Sequence, residues 1–162
     1  MYHVFNRGSR KGEIFDGDGE YFDFEALIEQ EQAKLKMRIV AYCLMRTHFH
    51  FLLWPHGDHD ISRFMQRLTS RHARRWHRAR GTTGTGAVYQ SRYCSKPIFD
   101  GYHYFSALRY VERNALAANY VKRAEAWRWC SATTQVEPPC CVELSPGPFP
   151  RPKNWLDLLN VE

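Results

Sequence analysis

Long apolar runs are absent from this 162-residue chain, and none approaches the roughly 18 residues that a membrane-spanning helix needs. The first residues also lack the charged-then-apolar order of a secretory signal. We therefore expect a protein of the cytoplasm with no membrane partner. With 44% hydrophobic and 15% aromatic residues, the chain can bury the core of one globular domain.

Paired cysteines are missing as well. The five cysteines are irregularly spaced, their number is odd, and no two of them form a C-x-x-C pair. This pattern argues against a disulfide framework and against a zinc ribbon, so we expect reduced thiols. The residues are Cys43, Cys94, Cys130, Cys140 and Cys141.

Acidic residues are absent between residues 62 and 80, where seven arginines lie in a chain of net formal charge +6. The planar guanidinium group of arginine suits phosphate better than the ammonium group of lysine does. The segment therefore predicts a polyanionic partner such as nucleic acid. A solvated helix face is the alternative interpretation. The arginines predicted to bind nucleic acid are Arg63, Arg67, Arg71, Arg74, Arg75 and Arg78.

Hydrophobic periodicity predicts the element order β-α-β-β-α-β-α. An α+β fold with helices packed on an antiparallel sheet, ferredoxin-like or RRM-like in pattern, accounts for this order. We predict one domain over residues 1–136 and a proline-rich tail over residues 137–162 that packs on it. The predicted strands are 2–6, 37–45, 48–55 and part of 88–99, and the helices are about 21–36, 61–76, 102–116 and 155–159.

Two histidines stand out in the second strand of the predicted hairpin. Because side chains alternate along a strand, His48 and His50 face the same side of the sheet, about 7 Å apart, and Phe49 faces the other side. Two imidazoles on one face form half of a divalent metal site. Two hydrogen-bonded histidines near a sheet edge are the alternative. The polar loop at residues 56–60 (HGDHD) is a weaker metal candidate, since its residues are typical of turns.

The helix at residues 102–116 carries a tyrosine away from its apolar stripe. At 100° per residue, Tyr110 lies on a face shared with His103 and Asn114, and Tyr110 and Asn114 are one turn apart. Packing explains such a tyrosine poorly, whereas a nucleophile whose neighbour reaches a metal explains it well. A partly exposed tyrosine on an amphipathic helix is the alternative.

Together these segments resemble the REP-associated tyrosine transposases, relatives of the single-tyrosine insertion-sequence transposases in the HUH nuclease group. The similar stretches follow the family's order through almost the whole chain, which is far more specific than the histidine pair alone. They are 2–8 (YHVFNRG), 41–53 (AYCLMRTHFHFLL), 88–93 (VYQSRY), 108–115 (LRYVERNA) and 127–131 (WRWCS).

The resemblance implies the HUH nuclease fold and a role for each matching residue. His48 and His50 match the histidine–hydrophobic–histidine motif that binds Mg²⁺ or Mn²⁺, and Tyr110 matches the nucleophile. Asn114 falls where a related group supplies a third metal-binding amide. Two positions differ from the family: Thr47 replaces an asparagine, and Ala115 replaces a proline.

The implied activity is a metal-dependent cut in single-stranded DNA beside a repetitive palindromic hairpin, in the bacterial nucleoid. Tyr110 would form a 5′-phosphotyrosine link and release a 3′-hydroxyl, and a second 3′-hydroxyl would reverse the step and join strands. His103 is a candidate to accept the tyrosine proton. The sequence is compatible with a monomer or a homodimer.

Two other functions remain open. A non-catalytic protein that binds single-stranded nucleic acid on the same fold would explain the arginines, but it leaves the histidines and the tyrosine without a role. A structural zinc site of Cys43 with His48 and His50 is the second. Cys43 is five residues from His48, so alternation places it on the opposite face of the sheet, which argues against that site.

Overall fold

The computed structural model describes residues 1–135 and 141–161. Across these residues no helix is both long enough and apolar enough to cross a membrane. Short 3-10 helices lie at Ser9–Lys11, Ala124–Ala126 and Ser131–Gln135. The strands are β1 (Tyr2–Arg7), β2 (Arg38–Met45), β3 (His48–Trp54) and β4 (Cys94–Pro97), and the α-helices are α1 (Asp18–Leu35), α2 (Asp60–Arg80), α3 (Gly101–Ala117) and α4 (Trp155–Asn160).

The four strands form one antiparallel sheet in the order β2-β3-β1-β4. Each of the connections β1-α1-β2 and β3-α2-β4 passes over a strand that lies between its ends, which is the split βαβ arrangement. The predicted α+β, ferredoxin-like fold is therefore confirmed. The predicted hairpin is present as β2 and β3, whose last pair is Met45 with His48.

The strand predicted within residues 88–99 is shorter than expected and comprises only β4, whose four residues are exposed at the sheet edge. The residues before it pair with the chain that follows β1 instead. Ser9 N donates to the Val88 carbonyl at 2.8 Å, and Gln90 N donates to the Arg7 carbonyl at 3.0 Å. Burial of Val88 and Tyr89 in the core anchors this segment.

The sheet is covered on both faces, and β3 contributes to both. Phe49 and Phe51 pack in one core with residues of α1 and α2 such as Phe24 and Phe64. On the other face, Leu52 packs in a second core with α3. The strict alternation of β3 therefore directs aromatic side chains to the first core and leaves His48 and His50 beneath α3.

The turn of the hairpin is held against the end of β1 by Gly8. Gly8 N donates to the Thr47 carbonyl at 2.8 Å. A Cβ atom at this position would lie 2.2 Å from the carbonyl oxygen of Gly12, so no other residue fits without a backbone shift. This close approach positions the turn that precedes His48.

The buried carboxylate of Glu112 joins α3 to the C-terminal segment. Its Oε1 accepts hydrogen bonds from Ser131 Oγ at 2.7 Å and from Arg151 Nη2 at 2.6 Å, and its Oε2 accepts one from Trp155 Nε1 at 2.6 Å. The predicted boundary between the domain and the tail, at residues 136 and 137, lies outside the described residues.

Two arginines on α3 bind the last carbonyl groups of the chain. Arg109 donates to the carbonyls of Leu158 at 2.8 Å and Val161 at 2.6 Å, and Arg113 donates to that of Leu159 at 2.9 Å. These bonds satisfy carbonyl groups that a helix end leaves without partners. The segment expected to form a short last helix, α4, is thereby docked along the tyrosine-bearing helix.

A buried histidine on α2 lies in the first core. The hydroxyl of Tyr89 donates to Nδ1 of His72 at 2.5 Å, and the ring also bonds to the backbone of Ile14. Burial, assisted by nearby arginines and opposed by Glu20, lowers the pKa of His72 to about 4. The neutral ring is therefore the form that fits the core.

We expect the free energy of unfolding to fall as the pH is lowered from 7 to 5. In the unfolded chain the pKa of His72 is near 6.5, whereas the folded value is about 4, so only the unfolded state gains a proton in this range. The loss attributable to this residue is about 2 kcal/mol. Urea unfolding at both pH values measures it.

The variant His72→Gln should lose less stability over this range than the wild type does. His56→Gln, which changes an exposed loop histidine, is the matched control and should keep the full pH dependence. An unchanged pH dependence in His72→Gln would show that the proton uptake comes from other groups.

Candidate active site

The site lies in a cleft of about 380 Å³ between the sheet and α3. In the register of β1 and β3, Phe5 is opposite His50 and Arg7 is opposite His48, so these four side chains share one face. The cleft is lined by Phe5, Asn6, Arg7, His48, His50, Gln90, Ser91, Cys94 and Tyr110.

His48 lies between the hairpin turn and α3. Its Nδ1 is 3.0 Å from the hydroxyl oxygen of Thr47, and its Nε2 is 3.3 Å from Oδ1 of Asn114. Both ring nitrogens are thus engaged, one by the residue before it on the chain and one by the helix above it. The structure brings the predicted His48 and Asn114 together.

His50 is buried, with only 5% of its surface exposed, and its partner is a third histidine. Nδ1 of His50 is 2.9 Å from Nε2 of His3, and the two rings stack with centroids 5.1 Å apart at 27°. The rings of His48 and His50 meet edge to face at 5.1 Å. Three imidazoles are therefore in contact, and two of them, His48 and His50, line the cleft.

Tyr110 reaches the histidines from α3. Its ring lies 5.3 Å from that of His50 and 5.5 Å from that of His3, in both cases edge to face. The side chain is 54% exposed, whereas Leu108 and Val111 on the same helix are fully buried. The predicted separation of Tyr110 from the apolar stripe is present, and His48, His50, Tyr110 and Asn114 meet in one place.

Desolvation keeps the imidazoles neutral. Burial, reinforced by neighbouring positive charges, lowers the pKa of His50 to about 2 and that of His3 to about 4. Burial also lowers the pKa of His48, against the opposing effect of its bond to Asn114. A neutral imidazole is the form that binds a metal ion, so no proton has to be removed first near neutral pH.

The donor atoms fit a hard divalent ion. His48 Nε2 and Asn114 Oδ1 are 3.3 Å apart, close to the roughly 3 Å between adjacent ligands of an octahedral ion with bonds of about 2.1 Å. Among the described residues, no three His, Cys, Asp or Glu side chains are grouped as a metal site. Two imidazoles and an amide oxygen make a mixed set that suits Mn²⁺ or Mg²⁺ better than structural Zn²⁺.

His3 is the site residue that the sequence interpretation missed. Its position in β1, two residues before Phe5, is visible in the sequence as a polar residue in an apolar run. Its role depends on the pairing of β1 with β3, which joins residues about 50 positions apart. Only the pairing of β1 with β3 brings His3 beside the histidine strand.

His103 is farther from Tyr110 on α3 than a direct hydrogen-bond partner would be. It is two turns before Tyr110, its backbone N–H donates to Asp100 Oδ1 at 2.8 Å, and its ring contacts Phe99 at 6.0 Å. Within the described chain, the histidines in ring contact with Tyr110 are His3 and His50.

The predicted arginines lie on α2, across the sheet from Tyr110, and several bind acidic residues of α1. Arg67 and Arg71 both pair with the fully buried carboxylate of Glu31, and Arg75 lies 4.0 Å from Asp23. Burial alone would raise the pKa of Glu31, but the two arginines hold it below its ordinary value. Among the arginines of α2, those that are exposed and form no ion pair with the described residues are Arg63, Arg74 and Arg78.

The expectation that Cys43 faces away from the histidines was wrong. Cys43 is the register partner of His50, so both lie on the same face of the sheet. The hairpin turn interrupts the alternation that the expectation extended across it. The thiol is nevertheless buried beside Met45, with Sγ of Cys43 3.7 Å from Sδ of Met45. It forms a hydrogen bond with the free thiol of Cys130 rather than joining the histidines.

The loop at residues 56–60 is an ordinary turn. The side chain of Asp60 accepts hydrogen bonds from the backbone N–H groups of His56 at 3.1 Å and Gly57 at 2.8 Å. Asp60 begins α2, where a carboxylate is favoured by the free N–H groups of the first turn.

Comparisons with known proteins identify the fold and the family. A REP-associated tyrosine transposase bound to a REP hairpin shares the fold, with a TM-score of 0.65 and 17% identity over 89% of this chain and 87% of that one. A proposed transposase from Deinococcus radiodurans R1 is 18% identical over 74% of this chain and 85% of that one, with a TM-score of 0.49. The curated proteins include no significant match.

The profile of the IS200-like transposases matches residues 1–114, which contain β1 to β4, the histidine pair, Tyr110 and Asn114. This match covers well over half of the chain and includes each residue that the cleft brings together. The chain belongs to the family of IS200-like transposases.

Proposed function

We propose that this protein is a metal-dependent tyrosine nuclease and strand transferase that acts on single-stranded DNA beside palindromic hairpins. The observation that carries the proposal is the meeting of Tyr110 with His50 in one open cleft, where His50 also contacts His48 and His48 contacts Asn114. A role in packing alone would not leave a tyrosine half exposed against buried, neutral histidines.

Tyr110 would attack a phosphodiester phosphorus through its hydroxyl oxygen. A bond forms between this oxygen and phosphorus, the bond from phosphorus to the 3′-oxygen breaks, and that oxygen leaves as a 3′-hydroxyl after taking up a proton. The DNA remains attached as a 5′-phosphotyrosine, which conserves the bond energy. Attack by a second 3′-hydroxyl reverses the step and joins two strands without ATP.

His48, His50 and Asn114 would hold Mg²⁺ or Mn²⁺. The bound ion supplies Lewis-acid polarisation of a phosphoryl oxygen and helps to orient the scissile phosphate. The residues of the chain contribute the rest: α3 holds Tyr110 at the mouth of the cleft, and the sheet keeps both imidazoles neutral. One chain carries the whole set, so a monomer is sufficient for the reaction.

The hairpin substrate is proposed by analogy with the relative that binds a REP hairpin. The exposed Arg63, Arg74 and Arg78 would contact its phosphates, with Arg67, Arg71 and Arg75 more committed to ion pairs within the protein. Since α2 lies across the sheet from Tyr110, the DNA would extend around the sheet edge, with its paired stem away from the cleft. The protein would encounter such DNA in the bacterial nucleoid.

We expect Tyr110→Phe to abolish cleavage and the covalent adduct, because it removes the attacking oxygen and keeps the ring. End-labelled hairpin DNAs from the repeats of the source genome, incubated with Mn²⁺ or Mg²⁺ and resolved on denaturing gels, measure both products. His50→Ala should reduce cleavage as well, by more than the roughly 10- to 100-fold that loss of a residue supporting a metal ligand costs, because it removes a proposed ligand itself.

Tyr102→Phe is the matched control, because Tyr102 is 86% exposed on the same helix and is not in the cleft. It should keep wild-type cleavage. Cleavage that persists in Tyr110→Phe would mean that another group is the nucleophile. Tight hairpin binding without cleavage in any metal would favour the non-catalytic binding protein.

We expect the double variant Arg74→Gln with Arg78→Gln to weaken hairpin binding and to lower its salt dependence. The slope of log K against log salt concentration should fall by about one for each phosphate that is no longer neutralised by an arginine. Fluorescence anisotropy between about 50 and 200 mM salt, where binding to phosphates weakens steeply, measures this change.

Arg67→Gln is the comparison variant. It leaves the buried Glu31 with one partner fewer, so it should lower the melting temperature more than it changes the salt slope. The reverse result, with a large change of slope in Arg67→Gln and none in the double variant, would mean that the DNA binds the arginines that form ion pairs with α1.

A further inference from the structure

The two histidines of the motif each have a hydrogen-bond partner on Nδ1. For His50, Nε2 of His3 is 2.9 Å from Nδ1. For His48, the hydroxyl oxygen of Thr47 is 3.0 Å from Nδ1. In both rings Nδ1 is therefore occupied by a neighbouring side chain. Nε2 of His48 faces Oδ1 of Asn114 at 3.3 Å, so these two proposed donors point to the same place, and Nε2 is the nitrogen of each ring that remains for a metal ion.

A neutral imidazole has one protonated nitrogen and one lone pair, and only the lone pair binds a metal. Metal-binding histidines usually donate their other N–H group to a nearby acceptor, which sets the tautomer and the orientation of the ring. His3 Nε2 and Thr47 Oγ can each accept such a bond. With the proton on Nδ1 of both rings, both Nε2 atoms carry a lone pair, and that of His48 lies beside Oδ1 of Asn114, with which it would share the metal ion.

We propose that His3 and Thr47 are positioning residues that hold His50 and His48 in the tautomers that present Nε2 to the metal ion. The inference rests on the proposed metal-dependent function and adds two residues to it. Neither residue binds the ion. Each accepts the Nδ1 hydrogen of a ligand, and His3 also fixes the ring of His50 by stacking on it.

The proposed role of Thr47 needs only a side-chain oxygen that can accept a hydrogen bond, which serine and asparagine also have. The threonine hydroxyl reaches Nδ1 of the next residue.

Manganese binding provides a test that does not depend on cleavage. The affinity of the purified full-length protein for Mn²⁺ alone, measured from the free-ion signal in electron paramagnetic resonance, should fall about 10- to 100-fold in His3→Phe. His3→Gln keeps an acceptor oxygen and should recover part of the loss. Thr47→Val should weaken binding, and Thr47→Ser and Thr47→Asn should restore it.

His56→Gln is the control for loss of a histidine outside the cleft and should bind Mn²⁺ as the wild type does. Thermal unfolding of each variant separates misfolding from a local effect, because recovery in the conservative variants requires a folded protein. Wild-type affinity in folded His3→Phe and Thr47→Val would overturn the inference and leave the proposed function intact.

The number of imidazoles coupled to bound Mn²⁺ distinguishes a positioning residue from a ligand. Electron spin echo measurements at saturating Mn²⁺ should count two imidazoles in the wild type and two in His3→Phe. A decrease from three to two would make His3 a ligand and overturn the inference. A wild-type protein that binds no Mn²⁺ would overturn the metal-dependent function itself, and the inference with it.

Discussion

The buried carboxylate of Glu112 is the constraint on which the geometry of the cleft depends. A charge removed from water is tolerated only where it is fully paired, and Glu112 meets this requirement with bonds from Ser131, Arg151 and Trp155. Ser131 in turn accepts a hydrogen bond from the backbone of Tyr42 in β2. Glu112 is two residues, or about 200° of helix rotation, beyond Tyr110. Anchoring the carboxylate on the β2 side of α3 therefore directs the tyrosine to the other side of the helix, over β3 and β1.

Much of the fold and of the site is local in origin and could be predicted from the sequence. The alternation in β3 separates the histidines from Phe49 and Phe51, and the apolar stripe of α3 leaves Tyr110 and Asn114 on another face. Each of these two inferences needs only the spacing of side chains within a single strand or helix. The position of His3 and the face of Cys43 depend instead on which strands pair and in what register, so His3 was missed and the face of Cys43 was assigned wrongly.

The arginine segment shows a different limit of sequence reasoning. A run of arginines without acidic residues describes the charge along the chain, whereas the charge of a surface depends on which helices become neighbours. Here α1 supplies Glu20, Asp23 and Glu31 to the arginines of α2. The pairing of Glu31 is favourable because the carboxylate is buried, and it leaves fewer cations for a polyanion than the composition suggests.

The two-sided burial of β3 has a consequence for how such a protein can lose its activity over evolutionary time. A one-residue insertion or deletion in this strand would exchange its faces, placing imidazoles in the aromatic core and phenylalanines in the cleft. The fold and the proposed metal site would thus be lost together, and the damaged chain would be cleared as unfolded. Inactive but stable descendants are therefore expected to arise by replacement of single side chains, with the length of the hairpin preserved.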